Sequence, residues 1–129
     1  MKINGNEYSF DLTVSAYLKI AELSPDKSFE KYVQLTDPEF TPSEIERFKN
    51  TLAAAIIMND AYVRKIEREH PGQTAPRLSA IPEEDLFDMM TLKEWNNLQI
   101  ELSKTIAAGE HVTIKATPPE ESGNVPAAV

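Results

Sequence analysis

The hydrophobic pattern of this chain predicts a mainly helical domain organised around one long central helix. The longest helical pattern runs from Thr41 to about Glu69, where apolar residues recur at the three- and four-residue spacing of one helix face. Its middle, Leu52–Met58, is apolar almost all the way round, which predicts burial on more than one side there. The predicted inward stripe consists of Ile45, Phe48, Leu52, Ala55, Ile56, Tyr62, Val63 and Ile66.

Both ends of this helix carry recognisable signals. Thr41 and Glu44 have the spacing of a capping box, in which each side chain accepts a hydrogen bond from the other residue's backbone N–H. Pro42 is tolerated between them because a first helical turn does not need its missing N–H. The sequence His70-Pro71-Gly72 predicts the end of the helix.

The N-terminal residues predict a β-hairpin within positions 1–12. Asn4-Gly5 is the dipeptide that best tolerates the positive φ angles of a two-residue type I′ turn. After it, Tyr8, Phe10 and Leu12 alternate with polar residues, which places the large apolar groups on one face. A lone hairpin is marginal in water, so we expect that face to lie on helices.

Two short helices are predicted next. Thr13 can cap a helix over 14–23, and its predicted inward stripe is Val14, Tyr17, Leu18 and Ala21. Ser24-Pro25 predicts the cap and first position of a second helix. The buried side of that second helix is predicted to be Phe29, Tyr32, Val33 and Leu35.

The second half predicts a loop over 73–80 and two further helices. Pro82-Glu83-Glu84-Asp85 places acidic groups in the first turn of a short helix, where the helix dipole favours them. Thr91–Glu94 repeats the capping-box spacing and opens a final helix that Gly109 is predicted to end. Weak alternation over 111–116 predicts a short strand added to the hairpin. The inward residues of the final helix are predicted to be Leu92, Trp95, Leu98, Leu102 and Ile106.

The predicted fold class is mainly α (α+β), with the hairpin packed on a bundle of four to five helices. Residues 1–116 are predicted to form one domain, and its length suffices to bury a core. The segment 117–129 reads TPPEESGNVPAAV, is rich in Pro, Gly and Glu, and is predicted to be a flexible tail.

Composition narrows the classes of function. The net charge is −8, which disfavours direct binding to nucleic acid because that affinity rests on basic groups. No cysteine is present, which excludes disulfides and thiolate metal sites and agrees with a cytoplasmic protein. Residues 1–10 lack the apolar core of a signal peptide, and the longest apolar run is far too short to span a membrane.

Candidate catalytic and metal-binding residues are sparse. His70 and His111 lie near carboxylates but lack the spacing of a metal motif. The acidic residues Glu83, Glu84, Asp85 and Asp88 lack the glycine turn of a calcium loop. No GxSxG sequence or glycine-rich phosphate loop exists. We therefore expect no enzyme activity, no cofactor and no metal.

A partner-binding patch is predicted on the short helix after Pro82. Leu86, Phe87, Met89 and Met90 cannot all point inward on so short a helix, so part of this apolar surface is expected to be exposed. Methionine adapts to partners of varied shape. Ile57 and Met58 are the other two predicted contact residues. The alternative is burial of two faces, one in the core and one under the loop over 73–80.

Residues 3–23, INGNEYSFDLTVSAYLKIAEL, resemble the start of small tail assembly chaperones of long-tailed bacteriophages and prophages. Chains of that family often open with the pattern I-N-G-x-x-Y-x-F-x-L-T-V-x-A-x-x-x-[LI]-x-x-L. The matching residues are Ile3, Asn4, Gly5, Tyr8, Phe10, Leu12, Thr13, Val14, Ala16 and Leu23. The family defines no strict functional residues, so the resemblance assigns none here.

The resemblance implies a helical, acidic, non-enzymatic protein of the bacterial host cytoplasm. Such chaperones coat the tape-measure protein, keep its apolar helices soluble, recruit tail-tube subunits and are absent from the finished virion. The family often makes a second, longer product by ribosomal frameshifting. Two alternatives stay open: a structural head–tail connector or other oligomeric virion component, and an acidic inhibitor that mimics DNA. The sequence also leaves self-association into a homo-oligomer open.

Overall fold

A computed structural model describes residues 1–116, and the predicted fold class is confirmed there. The described part is mainly helical, with a small antiparallel N-terminal hairpin and one long central helix. Residues 117–129, predicted as the tail, lie outside it. The elements are β1 (Lys2–Ile3), β2 (Asn6–Glu7), α1 (Val14–Glu22), α2 (Phe29–Gln34), α3 (Glu44–Glu69), a 3₁₀ turn (Leu78–Ala80), α4 (Glu83–Met89) and α5 (Leu92–Ala116).

The hairpin turn forms as predicted, but its strands are shorter. Asn4 and Gly5 both have positive φ, 50° and 85°, as a type I′ turn requires. Strands β1 and β2 pair antiparallel over two residues each. Beyond them the chain pairs with the middle of α3 rather than with a strand: the Asp11 N–H donates to the Met58 carbonyl over 3.0 Å. Tyr8 is nonetheless buried, so the predicted apolar face lies on the helices.

Helix α1 begins at its predicted cap but buries a different face. The Thr13 hydroxyl accepts a hydrogen bond from the Ala16 N–H at 3.1 Å. The predicted inward residues Val14 and Leu18 are 77% and 58% exposed. Ala21 is buried as predicted, and Ala16 and Ile20 are buried with it, because α1 packs closely on both α2 and α3 and small side chains permit that approach.

Helix α2 starts later than the predicted Ser24-Pro25 cap. Its cap is Ser28, whose hydroxyl accepts from the Lys31 N–H. The Ser24 side chain is buried in the preceding turn, where its hydroxyl donates to Ala21 and accepts from the Ser28 N–H at 2.7 Å. This local network occupies Ser24 and delays the start of the helix.

The central helix α3 begins at Glu44 with Ser43 as its cap, so the prediction of Thr41 as the cap was wrong. The Ser43 hydroxyl accepts from the Glu46 N–H at 3.2 Å. Thr41 is buried and donates its hydroxyl hydrogen to the Gln34 carbonyl, which leaves it no role in capping. With 26 residues, α3 is about 39 Å long. It ends at Glu69, as the histidine, proline and glycine after it predict.

The hydrophobic core lies around the middle of α3. Leu52, Ala55 and Met58 are almost completely inaccessible to solvent, so the predicted burial of the apolar centre is confirmed. Residues from both halves of the chain complete the core: Ile3, Tyr8, Ile20, Ala21, Phe29, Tyr32, Ala54, Leu78, Leu86, Trp95, Leu98 and Leu102.

Helix α5 is longer than predicted and includes the residues assigned to a strand. The predicted end at Gly109 was wrong, because the helix continues to Ala116. The predicted strand over 111–116 was also wrong. A hairpin with two-residue strands offers little edge for a further strand, whereas an existing helix gains one hydrogen bond for each residue that it adds. A glycine fits at 109 because a Cβ there would lie only 3.0 Å from the Leu12 Cβ.

Candidate interaction groove

An apolar groove lies where the start of α3, the end of α4 and the start of α5 meet. It has a volume of about 500 Å³. It is lined by Glu44, Ile45, Phe48, Lys49, Phe87 and Leu92. Ile45 and Leu92 are 72% and 74% exposed, although both were predicted to point inward. The groove therefore presents large aliphatic side chains to solvent.

The groove lies over a cluster of three aromatic rings. Phe48 stacks on Trp95, with ring centroids 4.5 Å apart and planes within 10° of parallel. Phe87 meets the same indole at 5.8 Å in a tilted arrangement. Trp95 itself is only 3% exposed, so α5 fixes it in the core beneath the two phenylalanines. Because these rings already pack against one another, we expect the base of the groove to need little reordering on binding.

The indole N–H of Trp95 is buried without a hydrogen-bond acceptor among the described residues. An unpaired buried donor costs roughly 1–3 kcal/mol. Burial of this N–H therefore lowers the stability of the fold, and the packing of Trp95 against Phe48 and Phe87 has to offset that loss.

A confirmed capping box sets the start of α5 and the position of Leu92. The Glu94 N–H donates to the Thr91 hydroxyl at 3.1 Å, and the Thr91 N–H donates to Glu94 Oε1 at 3.0 Å. Glu94 Oε2 also accepts from the Asn4 N–H in the hairpin turn. These backbone hydrogen bonds, from Thr91 first and then Asn4, hold the pKa of Glu94 below its ordinary value.

The first turn of α3 is fixed by Arg47. Its guanidinium Nη1 donates to the carbonyls of Thr41 and Pro42, each over 2.8 Å. These bonds hold the chain that enters α3 against the helix's second turn. Ile45 lies within that restrained segment, so its position at the groove is set by the same contacts.

The predicted contact residues do not come together as one surface. Phe87 lines the groove. Leu86 and Met58 have no solvent exposure and belong to the core, so their assignment as surface contacts was wrong. Ile57, Met89 and Met90 are partly buried and pack against that core. On α4 itself, Leu86 faces the core and Met89 and Met90 pack against it, so the core covers part of the apolar surface of this helix.

The sequence pattern missed Ile45, Phe48 and Leu92 as groove residues. Each continues an apolar stripe that is buried further along its helix, so periodicity alone assigns it to the core. One signal was present: Ile45 and Leu92 lie in the first turns of long helices, next to Glu44 and Lys93. When an apolar stripe extends to the end of a helix, its last residues can lie beyond the neighbouring elements and so be exposed.

A second cavity of about 330 Å³ lies between α2, α3 and α5. Of its described lining residues only Tyr32 and Asp37 are titratable. The Tyr32 hydroxyl donates to the Asn50 carbonyl, and burial raises its pKa to about 12. Asp37 Oδ1 accepts from the Glu39 N–H in a turn. Both side chains therefore already serve the local structure.

The described part of the chain also lacks two features that would point to other functions. Among the side chains that the structure describes, no three histidine, cysteine or acidic groups gather in a way that could hold a metal ion. None of the described helices combines the length and hydropathy needed to cross a bilayer. Comparisons with protein-family models, curated proteins and solved structures found no match to this chain. The resemblance of residues 3–23 to tail assembly chaperones stays a prediction.

Proposed function

We propose that this protein is a non-enzymatic tail assembly chaperone of a phage or prophage. It binds amphipathic helices of the tape-measure protein in the host cytoplasm, keeps them soluble and brings them together with the tail-tube protein. One observation carries the proposal: the groove exposes Ile45 and Leu92 above a base of stacked aromatic rings. Full burial of an isoleucine or leucine side chain contributes about 1.5–3 kcal/mol.

The shape and composition of the groove suit a helical segment rather than an extended one. An amphipathic helix presents apolar side chains three and four residues apart, and such anchors can enter a groove between helices. A peptide that binds by strand addition would need an exposed sheet edge, and the described strands offer only two residues each. The N-terminal resemblance supports a tape-measure helix as the partner, and the exposed apolar groove supports a binding site for such a helix.

Co-expression of the full chain with a helical fragment of the tape-measure protein tests the proposal. The wild-type chain is expected to raise the soluble fraction of the fragment severalfold and to co-purify with it. The double variant Ile45→Ser and Leu92→Ser is expected to lose both effects, because it removes the exposed anchors without altering charge. Circular dichroism checks that this variant folds.

The chain offers a matched control on α1. Val14 and Leu18 are 77% and 58% exposed and do not line the groove. The double variant Val14→Ser and Leu18→Ser makes the same kind of change and is expected to retain full chaperone activity. Equal loss in both pairs, or no gain in solubility with the wild type, would contradict the proposal. A stable homo-oligomer in light scattering, with the groove in its interface, would favour a structural virion component instead.

A further inference from the structure

The helix that supplies Phe87 to the groove is acidic along its whole length. Glu83, Glu84, Asp85 and Asp88 are all exposed, and α4 contains no lysine or arginine. Glu83 and Glu84 lie four and three residues before Phe87, so they share its side of the helix. Glu83 and Glu84 do not line the groove, but they are exposed on the side of α4 that presents Phe87 to it.

The opposite wall has a mixed charge. Glu44 lines the groove, and Glu46 is exposed in the same first turn of α3. The guanidinium of Arg47 is occupied by the carbonyls at the entry to α3. Lys49 lines the groove and Lys93 follows Leu92. The carboxylates of α4 and of the first turn of α3 outnumber these cations, so the surroundings of the groove are negative.

We propose that the groove selects an amphipathic helix whose apolar face is flanked by lysine or arginine. This inference rests on the proposed function, since it specifies the chemistry of the segment that the groove binds. The apolar face packs over Phe48 and Phe87, and basic side chains at its edge reach Glu83, Glu84 and Glu44. A helix with acidic flanks meets like charge at the same positions and is rejected.

Two synthetic helical peptides with an identical leucine face provide the probe. One peptide carries lysine on both flanks and the other carries glutamate, and neither contains tryptophan. Trp95 is the only tryptophan of the full chain and packs against two groove residues, so its fluorescence reports binding. The lysine peptide is expected to bind about tenfold more tightly at low salt, because exposed ion pairs favour it modestly while like-charge contacts disfavour the glutamate peptide. That advantage should shrink at 1 M salt, where the screening length falls to about 3 Å.

Charge variants locate the source of the preference. The double variant Glu83→Gln and Glu84→Gln is expected to lower the affinity for the lysine peptide by about three- to tenfold. Its matched control is Glu30→Gln with Glu69→Gln, which changes net charge equally at exposed residues that do not line the groove. Glu30 lies in a first helical turn, as Glu83 and Glu84 do. The control pair is expected to leave the affinity within twofold of the wild type. If the groove pair unfolds, each single variant repeats the test.

The outcomes separate this inference from the proposed function. The preference for basic flanks is overturned if both peptides bind with equal affinity, or if the Glu83/Glu84 and Glu30/Glu69 double variants lose affinity equally. Neither result contradicts the groove as the binding site. If neither peptide binds, or if binding survives Ile45→Ser with Leu92→Ser, the groove itself is not the site. Either of those results overturns both proposals.

Discussion

At the scale of single residues, Asn59 connects three parts of the chain through one buried amide. Its Nδ2 donates to the Ser9 carbonyl at 3.0 Å and reaches the Pro76 carbonyl at 3.4 Å. Its Oδ1 accepts from the Leu78 N–H at 2.8 Å. The side chain has no solvent exposure. Asn59 therefore holds the extended N-terminal segment and the loop over 70–80 against α3.

Replacement of Asn59 by leucine is expected to lower the free energy of unfolding by about 2–3 kcal/mol. Leucine has the same branching and the same number of side-chain heavy atoms, but the Leu78 N–H and the two carbonyls lose their partner, and each unpaired buried group is costly. Urea denaturation measures the change. The exposed Asn97 on α5 gives the control, and Asn97→Leu should change stability by no more than about 0.5 kcal/mol. Equal effects at both positions would contradict this role for Asn59.

Gly109 gives a second residue-scale prediction, one in which helix propensity and packing oppose each other. Alanine at a helix interior is favoured over glycine by about 1 kcal/mol. Its Cβ would lie 3.0 Å from the Leu12 Cβ, an atom bonded directly to the backbone, and such overpacking costs roughly 1–3 kcal/mol. Gly109→Ala is therefore expected to destabilise the wild-type chain by about 1 kcal/mol.

The sign of this effect should reverse when the crowding is relieved. In a Leu12→Ala background, Gly109→Ala is expected to stabilise the protein by up to about 1 kcal/mol, as propensity alone dictates. Thermal unfolding of the four proteins of this cycle measures the coupling. Stabilisation by Gly109→Ala in both backgrounds would mean that α5 does not pack closely on Leu12.

At the scale of elements, the start of α5 is fixed by charge as well as by hydrogen bonds. The ionised carboxylate of Glu94 accepts from two backbone N–H groups, one at its own helix cap and one in the hairpin turn. Because these bonds favour the charged form, the pKa of Glu94 is lower in the folded state than in the unfolded chain. The capping box thus joins the N-terminal hairpin to the helix that carries Leu92 and Trp95.

The stability from Glu94 should depend on pH in a defined window. A lowered folded-state pKa gives stability that is fully present above the unfolded pKa of about 4.3 and is lost as pH falls through the folded value. The difference in unfolding free energy between the wild type and Glu94→Gln should therefore be largest near pH 6 and shrink below about pH 4. Urea midpoints from pH 3 to 7 measure it. A difference that stays constant over that range would exclude the charge as its cause.

Local sequence signals predicted the elements better than they predicted which faces are buried. The turn at Asn4-Gly5 and the capping box at Thr91 depend only on neighbouring residues, and both formed as expected. The prediction of a cap at Thr41 was wrong because the Thr41 hydroxyl donates to the carbonyl of Gln34, seven residues earlier. The C-terminal part of α5 was predicted as a strand, because alternation of apolar and polar residues does not show whether a neighbouring strand is present to pair with.

At the scale of the whole molecule, the groove depends on how three helices meet. Periodicity places Phe48 and Trp95 on inward stripes, and the two do stack against each other. Periodicity also places Ile45 and Leu92 on inward stripes. Both are nonetheless exposed, because α4 does not cover the first turns of α3 and α5. The relative ends of packed helices come from the tertiary arrangement, so the exposed anchors could not be separated from core residues by spacing alone.

The most direct test of the proposed site is a map of where a tape-measure fragment contacts the full chain. Two-dimensional amide NMR of the labelled protein, titrated with the unlabelled fragment, gives this map residue by residue. Binding in the groove predicts the largest shifts at 44–49 and 87–92, together with the single indole N–H signal of Trp95. Absence of any shift, or shifts centred on the exposed face of α1 at Val14 and Leu18, would contradict it.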